Sequence, residues 1–295
     1  MTGHAPESKT WTTRQLLAWT TDHFQAKGLD RPRLCAEMLL AHVLGTSRLK
    51  LYMHADRPAS ELERSAFREL VARAVRHEPV DYLVGQSPFY SLWFKVTPAV
   101  LVPRPSTEAL VDHVLQHARR RPGFGAPLIA DVGTGSGVIA VTLAKHLPGA
   151  RVLASDISDS ALAVARENAQ RHGVADRIDF VQGDMLEPLR GKRVQYLLSN
   201  PPYISDAEWQ VVPANVKNYE PTGALRGGVD GLDYLAALIA GAREHLAMPG
   251  QLVLEIAASQ SESVLELTAK TPGLAHEHVL ADHEALPRVL VADAV

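Results

Sequence analysis

The chain reads as an α/β protein, with a mostly parallel seven-stranded sheet under helices and a helical bundle before it. Three observations predict this. Residues up to about 85 carry helical periodicity and helix-start signals, with no strand signals. From Ser106 onward, strand-like apolar runs alternate with helix-like stretches, the pattern of helices packed on both faces of a parallel sheet. The last two strand-like runs, "HEHVLA" and "RVLVADA", are joined by a short connection, so they are expected to pair antiparallel at the sheet edge.

The elements follow in order. The first ten residues read as a frayed tail. Thr12 and Gln15 form a capping box that opens "TRQLLAWTTDHFQAKG", and Gly28 stops it. Pro32 suits the first turn of a second helix, "RPRLCAEMLLAHVLG", ending at Gly45. Ser60 and Glu63 cap a helix whose Phe67, Leu70, Val71 and Ala74 make an apolar stripe. "SPFYSLWFKVTPAVLVPRP" changes character; its aromatic and β-branched residues with prolines predict a short hairpin and an ordered linker. Helix "STEALVDHVLQHARR" then precedes strand "LIADVG", helix "GVIAVTLAKHL" and strand "RVLASDI". Helix "SDSALAVARENAQRHG" and strands "IDFVQGD" and "QYLLSN" follow, then helix "LDYLAALIAGAREHL", strand "QLVLEIA", a further helix and the closing pair. The expected domains are a helical unit at 1–85, a hairpin and linker at 86–105, and an α/β unit at 106–295.

Composition narrows the class. Hydrophobic residues make up 46% and charged residues 21%, ordinary for a globular protein. A single cysteine, Cys35, excludes an internal disulfide and fits a reducing compartment. No run is long enough for a membrane span and the N-terminus lacks an apolar signal core, so a cytoplasmic location without membrane partners is expected. Residues 1–95 carry +3 and the remainder −6, for −3 overall, which does not suggest nucleic-acid backbone binding.

"DVGTGSG", residues 131–137, sits between a buried strand and a helix, where glycines allow close approach of backbone to a ligand. A dinucleotide fingerprint would need glycine at 138, which is Val138. The glycines fall instead at Gly133, Gly135 and Gly137, with Thr134 and Ser136 between them and Asp131 leading. This spacing resembles the loop of S-adenosylmethionine-dependent methyltransferases and implies their Rossmann-like class I fold. Asp156 ends the next strand, where a carboxylate can accept from ribose hydroxyls. Asp184 ends the third, within reach of an adenine amino group, and Asn200 ends the fourth. A structural glycine turn explains the glycines alone, and a nicotinamide enzyme remains an alternative because Asp156 suits its ribose too.

After the fourth strand stands "SNPPYI". Prolines cannot donate to a ladder, so the strand must end, and Asn200 before Pro201 is pushed to extended backbone. Asn200 to Tyr203 resembles the motif of methyltransferases acting on planar amino nitrogens. The Asn200 side-chain oxygen and the Pro201 carbonyl can grip the two hydrogens of such a nitrogen, with Pro202 stiffening the turn and Tyr203 packing on the flat acceptor.

"EPVDYLVGQSPFYSLWFKVTPAVLVPRPSTEALV", "SNPPYI" and "YEPTGALRGGVDGL" are together similar to the signatures of the HemK-type protein-(glutamine-N5) methyltransferases. The resemblance runs from about residue 12 onward. It implies methyl transfer from S-adenosylmethionine to the glutamine of the Gly-Gly-Gln motif of peptide-chain release factors, with the helical unit docking that protein. It further implies that Gly133 to Gly137, Asp156, Asp184, Met185 and Asn200 line the cofactor site, while Asn200 to Tyr203 hold the glutamine. A sister group modifies a ribosomal-protein glutamine. An adenine-N6 nucleic-acid methyltransferase and a non-catalytic binding module are the further alternatives. The chain departs from the family's usual residues at Ser106, Met185, Ala257 and Ala285.

No metal site is expected. His113 and His117, four apart on a helix, lack a third ligand and suit a solvated face, and His276 and His278 lack a companion pair. Cys35 lies in an apolar stripe and is expected in a core.

Overall fold

The structure is a computed structural model that describes residues 11–121, 124 and 126–295. The expected frayed tail lies outside the described residues. The chain divides into two compact units, Met1–Gly85 and Gln86–Val295.

The first unit is helical: α1 (Thr13–Ala26), α2 (Pro32–Val43), α3 (Arg48–Met53), α4 (Glu61–Val75) and α5 (Val80–Val84). Both capping boxes form. The Thr12 hydroxyl accepts from the Gln15 amide and the Gln15 side chain accepts from the Thr12 amide, and Ser60 and Glu63 do the same for α4. Leu16, Phe24, Leu39, Leu40, Phe67 and Val71 form the core that these helices share. Cys35 packs at its margin, and burial pushes its thiol up to about 11. Glu37 is buried between Arg33, Arg48 and Tyr52. Burial raises its pKa, but the hydrogen bonds from Tyr52, Arg48 and Arg33 outweigh that and hold it below the usual range.

The second unit opens with an antiparallel hairpin, β1 (Gln86–Phe89) and β2 (Leu92–Lys95). There follow α6 (Glu108–Arg120), β3 (Leu128–Val132), α7 (Val138–His146), β4 (Arg151–Asp156), α8 (Asp159–Arg171), β5 (Ile178–Gln182) and β6 (Val194–Ser199). Next come α9 (Asp206–Trp209), α10 (Ala214–Lys217), α11 (Asp233–His245), β7 (Leu246–Glu255), α12 (Ser261–Ala269), β8 (Leu274–Ala281) and β9 (Pro287–Ala294). The seven-stranded sheet has the order β5-β4-β3-β6-β7-β9-β8. Pairing is parallel from β5 to β7 and antiparallel at β7–β9 and β8–β9, so the closing strands pair as expected, with β9 inside β8.

Alternation along the strands sorts the core into two layers. Ile129, Tyr196, Leu198, Val253 and Val291 point to the face covered by α6 and α7. Ala130, Val132, Leu197, Leu252 and Leu290 point to the face covered by α11 and α12. Among the described residues, no helix is long and apolar enough to cross a membrane.

The solvated face expected for His113 and His117 is not what forms. The His113 Nε2 lies 3.1 Å from Gln251 Oε1, and the His117 Nδ1 lies 2.6 Å from the Tyr196 hydroxyl. The cause is that α6 rests on the sheet across β7 and β9, so its polar side meets polar sheet residues rather than water. Burial is the first cause lowering both ring pKa values, and for His117 the neighbouring His113 and Arg121 add to it. The unfolded chain therefore binds these protons first. Their contribution to stability is present above the ordinary histidine range and is lost as pH falls through it. In thermal melts between about pH 7.5 and 5.5, His113→Gln/His117→Gln should lose less stability than the wild type. Equal losses would show that these rings do not drive the acid limb.

Candidate active site

The sheet register levels four strand ends. Val132 pairs with Ser155 on one side and Ser199 on the other, and Ser199 pairs with Leu254. The next residues, Gly133, Asp156, Asn200 and Glu255, therefore stand in one row at the carboxyl ends, where open α/β sheets bind ligands. Asp156 also pairs with Gln182, the last residue of β5, so exposed Asp184 follows just past that strand's end.

The glycine loop is fixed from below. The Gly133 and Thr134 amides both donate to the Ser155 carbonyl, at 2.8 and 2.9 Å. The Gly135 amide donates to Asp156 Oδ2 at 2.9 Å, and Asp156 Oδ1 accepts from the Ser158 amide at 2.9 Å. Gly137 has φ +81°, and a Cβ there would lie 3.1 Å from the Ala165 Cβ, so α7 and α8 approach through this glycine. Buried Asn168 donates to the Ser136 carbonyl at 2.8 Å and pairs with both backbone groups of Lys95, tying loop to hairpin.

Asp131 lies underneath, not on the surface. It shares the face of Ile129 two residues before it, towards α7, where its Oδ2 accepts from the Thr134 hydroxyl at 2.6 Å and the Ala140 amide at 3.1 Å. Burial pushes its pKa up to about 6, while Thr134 and Ala140 pull it down. These features fit S-adenosylmethionine. A Cβ on Gly133 or Gly135 would meet nothing within 4 Å, so bare backbone faces the pocket. The Asp131 Oδ1 is buried without a partner, an acceptor beneath that backbone. Asp156 keeps lone pairs for hydroxyls, and exposed Ile157 beside it offers an apolar wall. Met185 has φ +46°, a left-handed conformation rare outside glycine, and packs half-buried against the core below.

On the other side of Asn200 lies a cleft of about 180 Å3, walled by Leu101, Arg104, Pro201, Tyr203, Ile204 and Val212 among others. Neither Asn200 Oδ1 nor the Pro201 carbonyl accepts a hydrogen bond among the described residues. The "GALRGG" segment backs the turn. The Ile204 amide donates to the Leu225 carbonyl and the Ile204 carbonyl accepts from the Gly227 amide, and a Cβ on Gly227 would lie 2.7 Å from the Pro202 carbonyl. Gln260 Nε2 donates to the Tyr203 carbonyl at 3.1 Å. Burial, then the adjacent Glu255 carboxylate, push the Tyr203 hydroxyl pKa up, so it stays protonated. Val216 of α10 joins the cleft wall, and Trp209 of α9 lies between Lys217 and Arg226, at 5.5 and 5.6 Å from its ring centre.

Several residues of the site escape a reading of the sequence. Glu255 is fully buried and accepts from the Ser106 hydroxyl at 3.0 Å and the Thr107 hydroxyl at 2.6 Å. Asn200 Nδ2 lies 3.2 Å from Thr107 Oγ1. Glu220 is buried and accepts from Arg104 at 2.6 Å and from the Val102 amide at 3.0 Å. The signal for Glu220 was present in "YEPTG", which sits in a recognisable signature; Glu255 had none beyond being a charge at the end of a buried strand.

Two family descriptions match the chain: the PrmC N-terminal domain over residues 15–85 and the methyltransferase small domain over residues 105–230. A release factor glutamine methyltransferase of Geobacter sulfurreducens is 42% identical over 261 residues, covering 88% of this chain and 89% of its own. Another, from Chlorobaculum tepidum, is 41% identical over 291 residues, 97% and 98% of the two chains. The chain belongs to the release factor glutamine methyltransferase family. A solved methyltransferase from Pyrococcus furiosus matches 75% of this chain and 96% of its own, with a TM-score of 0.51 at 17% identity, a likeness of fold. The expected class I methyltransferase-like fold, the enzyme class and S-adenosylmethionine as cofactor are thereby borne out.

In this methyltransferase, Arg104 and Glu220 join the linker before α6 to the signature beyond the proline turn. Removing one partner strands a buried charge, whereas removing both does not. Arg104→Met should cost about 3 kcal/mol in urea unfolding, and Arg104→Met/Glu220→Met clearly less. A double variant as unstable as the sum of the single ones would show that the pair is not coupled.

Proposed function

We propose that this protein transfers a methyl group to the side-chain amide nitrogen of the glutamine in the Gly-Gly-Gln motif of peptide-chain release factors. The helical unit, residues 1–85, docks the release factor, and residues 106–295 carry the chemistry behind the 86–105 hairpin and linker. The enzyme works in the cytoplasm, without membrane or nucleic-acid partners. The likeness along 97% of the chain to a relative carrying that name supports this substrate.

When bound, S-adenosylmethionine supplies an electrophilic methyl carbon with a neutral thioether as leaving group. Gly133 to Gly137 and Asp156 would hold it, Asp184 and Met185 would border its base, and Asp131 shapes the loop from beneath. The residues around Asn200 deal with the acceptor. An amide nitrogen is a poor nucleophile because its lone pair is delocalised into the carbonyl. Asn200 Oδ1 and the Pro201 carbonyl accept its two hydrogens, which aims the nitrogen and favours the positive charge it develops. Tyr203, kept neutral by burial, lines the cleft with Leu101 and Ile204 and excludes water without adding charge. The amide nitrogen takes up the methyl group, and its proton passes to water afterwards. No base with a shifted pKa is needed beforehand.

The observation that carries this reading is the row of strand ends, which puts two unpaired acceptors beside the glycine loop. The test is methyl transfer from labelled S-adenosylmethionine to a purified release factor, with the modified residue located by mass spectrometry. Asn200→Ala should lower kcat by about 10²–10³, with cofactor affinity held within about threefold. Transfer to DNA or RNA, or label at a residue other than that glutamine, would overturn the reading.

A further inference from the structure

We propose that Glu255, acting through Thr107, sets which end of the Asn200 carboxamide faces the acceptor glutamine. This rests on the methyl-transfer reading and makes both residues positioning residues, since neither lines the acceptor cleft.

A carboxamide has two ends of nearly equal size and opposite hydrogen-bonding character. Shape alone therefore cannot hold the Asn200 oxygen towards a substrate NH2; a neighbour of fixed polarity has to do so. Glu255 ends β7, next to β6, and is fully buried. Its two oxygens accept from separate hydroxyls, Ser106 on Oε1 and Thr107 on Oε2. An ionised carboxylate only accepts. The single proton of the Thr107 hydroxyl is thus committed to Glu255 at 2.6 Å, which leaves an oxygen lone pair for Asn200. Only the NH2 end of Asn200 can use that lone pair, and Nδ2 lies 3.2 Å from it. Oδ1 is left for the acceptor. Reversing the amide would set NH2 against NH2 in the cleft.

The position of Thr107 agrees. It occupies the N-cap position of α6, where a threonine hydroxyl ordinarily bonds the helix backbone, yet it makes no capping bond. That hydroxyl serves Glu255 and Asn200 instead. Burial holds the Glu255 pKa above its ordinary value, against the Thr107 and Ser106 hydroxyls and the charges of Arg288 and Arg104, which pull it down.

The test compares Glu255→Gln, Thr107→Val and Thr107→Ser in the full-length protein. Glu255→Gln keeps the shape but can donate to Thr107, which frees the hydroxyl proton to meet Asn200 Oδ1 and turns the amide around. Glu255→Gln and Thr107→Val should each lower kcat roughly 10- to 100-fold, with S-adenosylmethionine affinity within about threefold. Thr107→Ser should restore most of the rate. A second readout needs no turnover: binding of a release factor bearing glutamine against one bearing glutamate at the acceptor position. Wild type should prefer glutamine, and Glu255→Gln should narrow that preference by about tenfold. A Glu255→Gln enzyme within threefold of wild-type kcat, as a permanently protonated Glu255 would give, overturns the proposal. So does an unchanged glutamine preference, a Thr107→Ser enzyme as slow as Thr107→Val, or cofactor affinity falling in step with rate. Failure of the wild type to methylate the release factor would count against the parent reading, and the binding ratio would still judge the relay.

Discussion

Parallel strands bring their carboxyl ends side by side, and polar atoms at those ends must be paired before they can do anything else. Here a single register level carries the glycine loop, Asp156, Asn200 and Glu255. Each is held by the others' surroundings: Gly135 by Asp156, Asn200 by Thr107, Thr107 by Glu255. The Asn200 oxygen and the Pro201 carbonyl are left without a hydrogen bond among the described residues, on two residues that line the cleft.

The same economy shapes the cofactor side. The loop from Gly133 to Gly137 is bonded to Ser155, Asp156, Asp131 and Asn168. A ligand meeting it finds the backbone already ordered, so little conformational entropy is lost on binding. Asp131 illustrates the trade. Its carboxylate organises the loop from a fully buried position, and the resulting pKa near 6 is the mark of that burial. In Met185 a left-handed backbone stands where the chain turns away from Asp184.

Much of this was legible because its signals are local. Capping boxes at Thr12 and Ser60 span four residues, and the glycine loop and the proline turn are contiguous strings. Helices α3, α5, α9 and α10 were not legible, since none completes two turns and periodicity needs more. The supporting shell of the site was hidden for another reason. Thr107 and Glu255 are 148 residues apart, Asn200 and Thr107 are 93 apart, and Lys95 and Asn168 are 73 apart. Only the closed sheet brings such pairs together, and a lone threonine or glutamate in the string announces nothing. His113 and His117 failed in the opposite direction: their spacing was plain, but their sheet neighbours, Gln251 on β7 for His113 and Tyr196 on β6 for His117, were not.

The hairpin at Gln86–Lys95 bears on where this protein can be divided. Asn168 spends two of its three hydrogen bonds on Lys95, and Glu220 takes both its partners from Val102 and Arg104. A fragment trimmed back to the start of α6 would retain the glycine loop and the proline turn, yet strip the Glu220 side chain of both its partners and leave Asn168 only the Ser136 carbonyl. Scissors belong at Gly85, in front of the hairpin, where the two compact units meet in the chain.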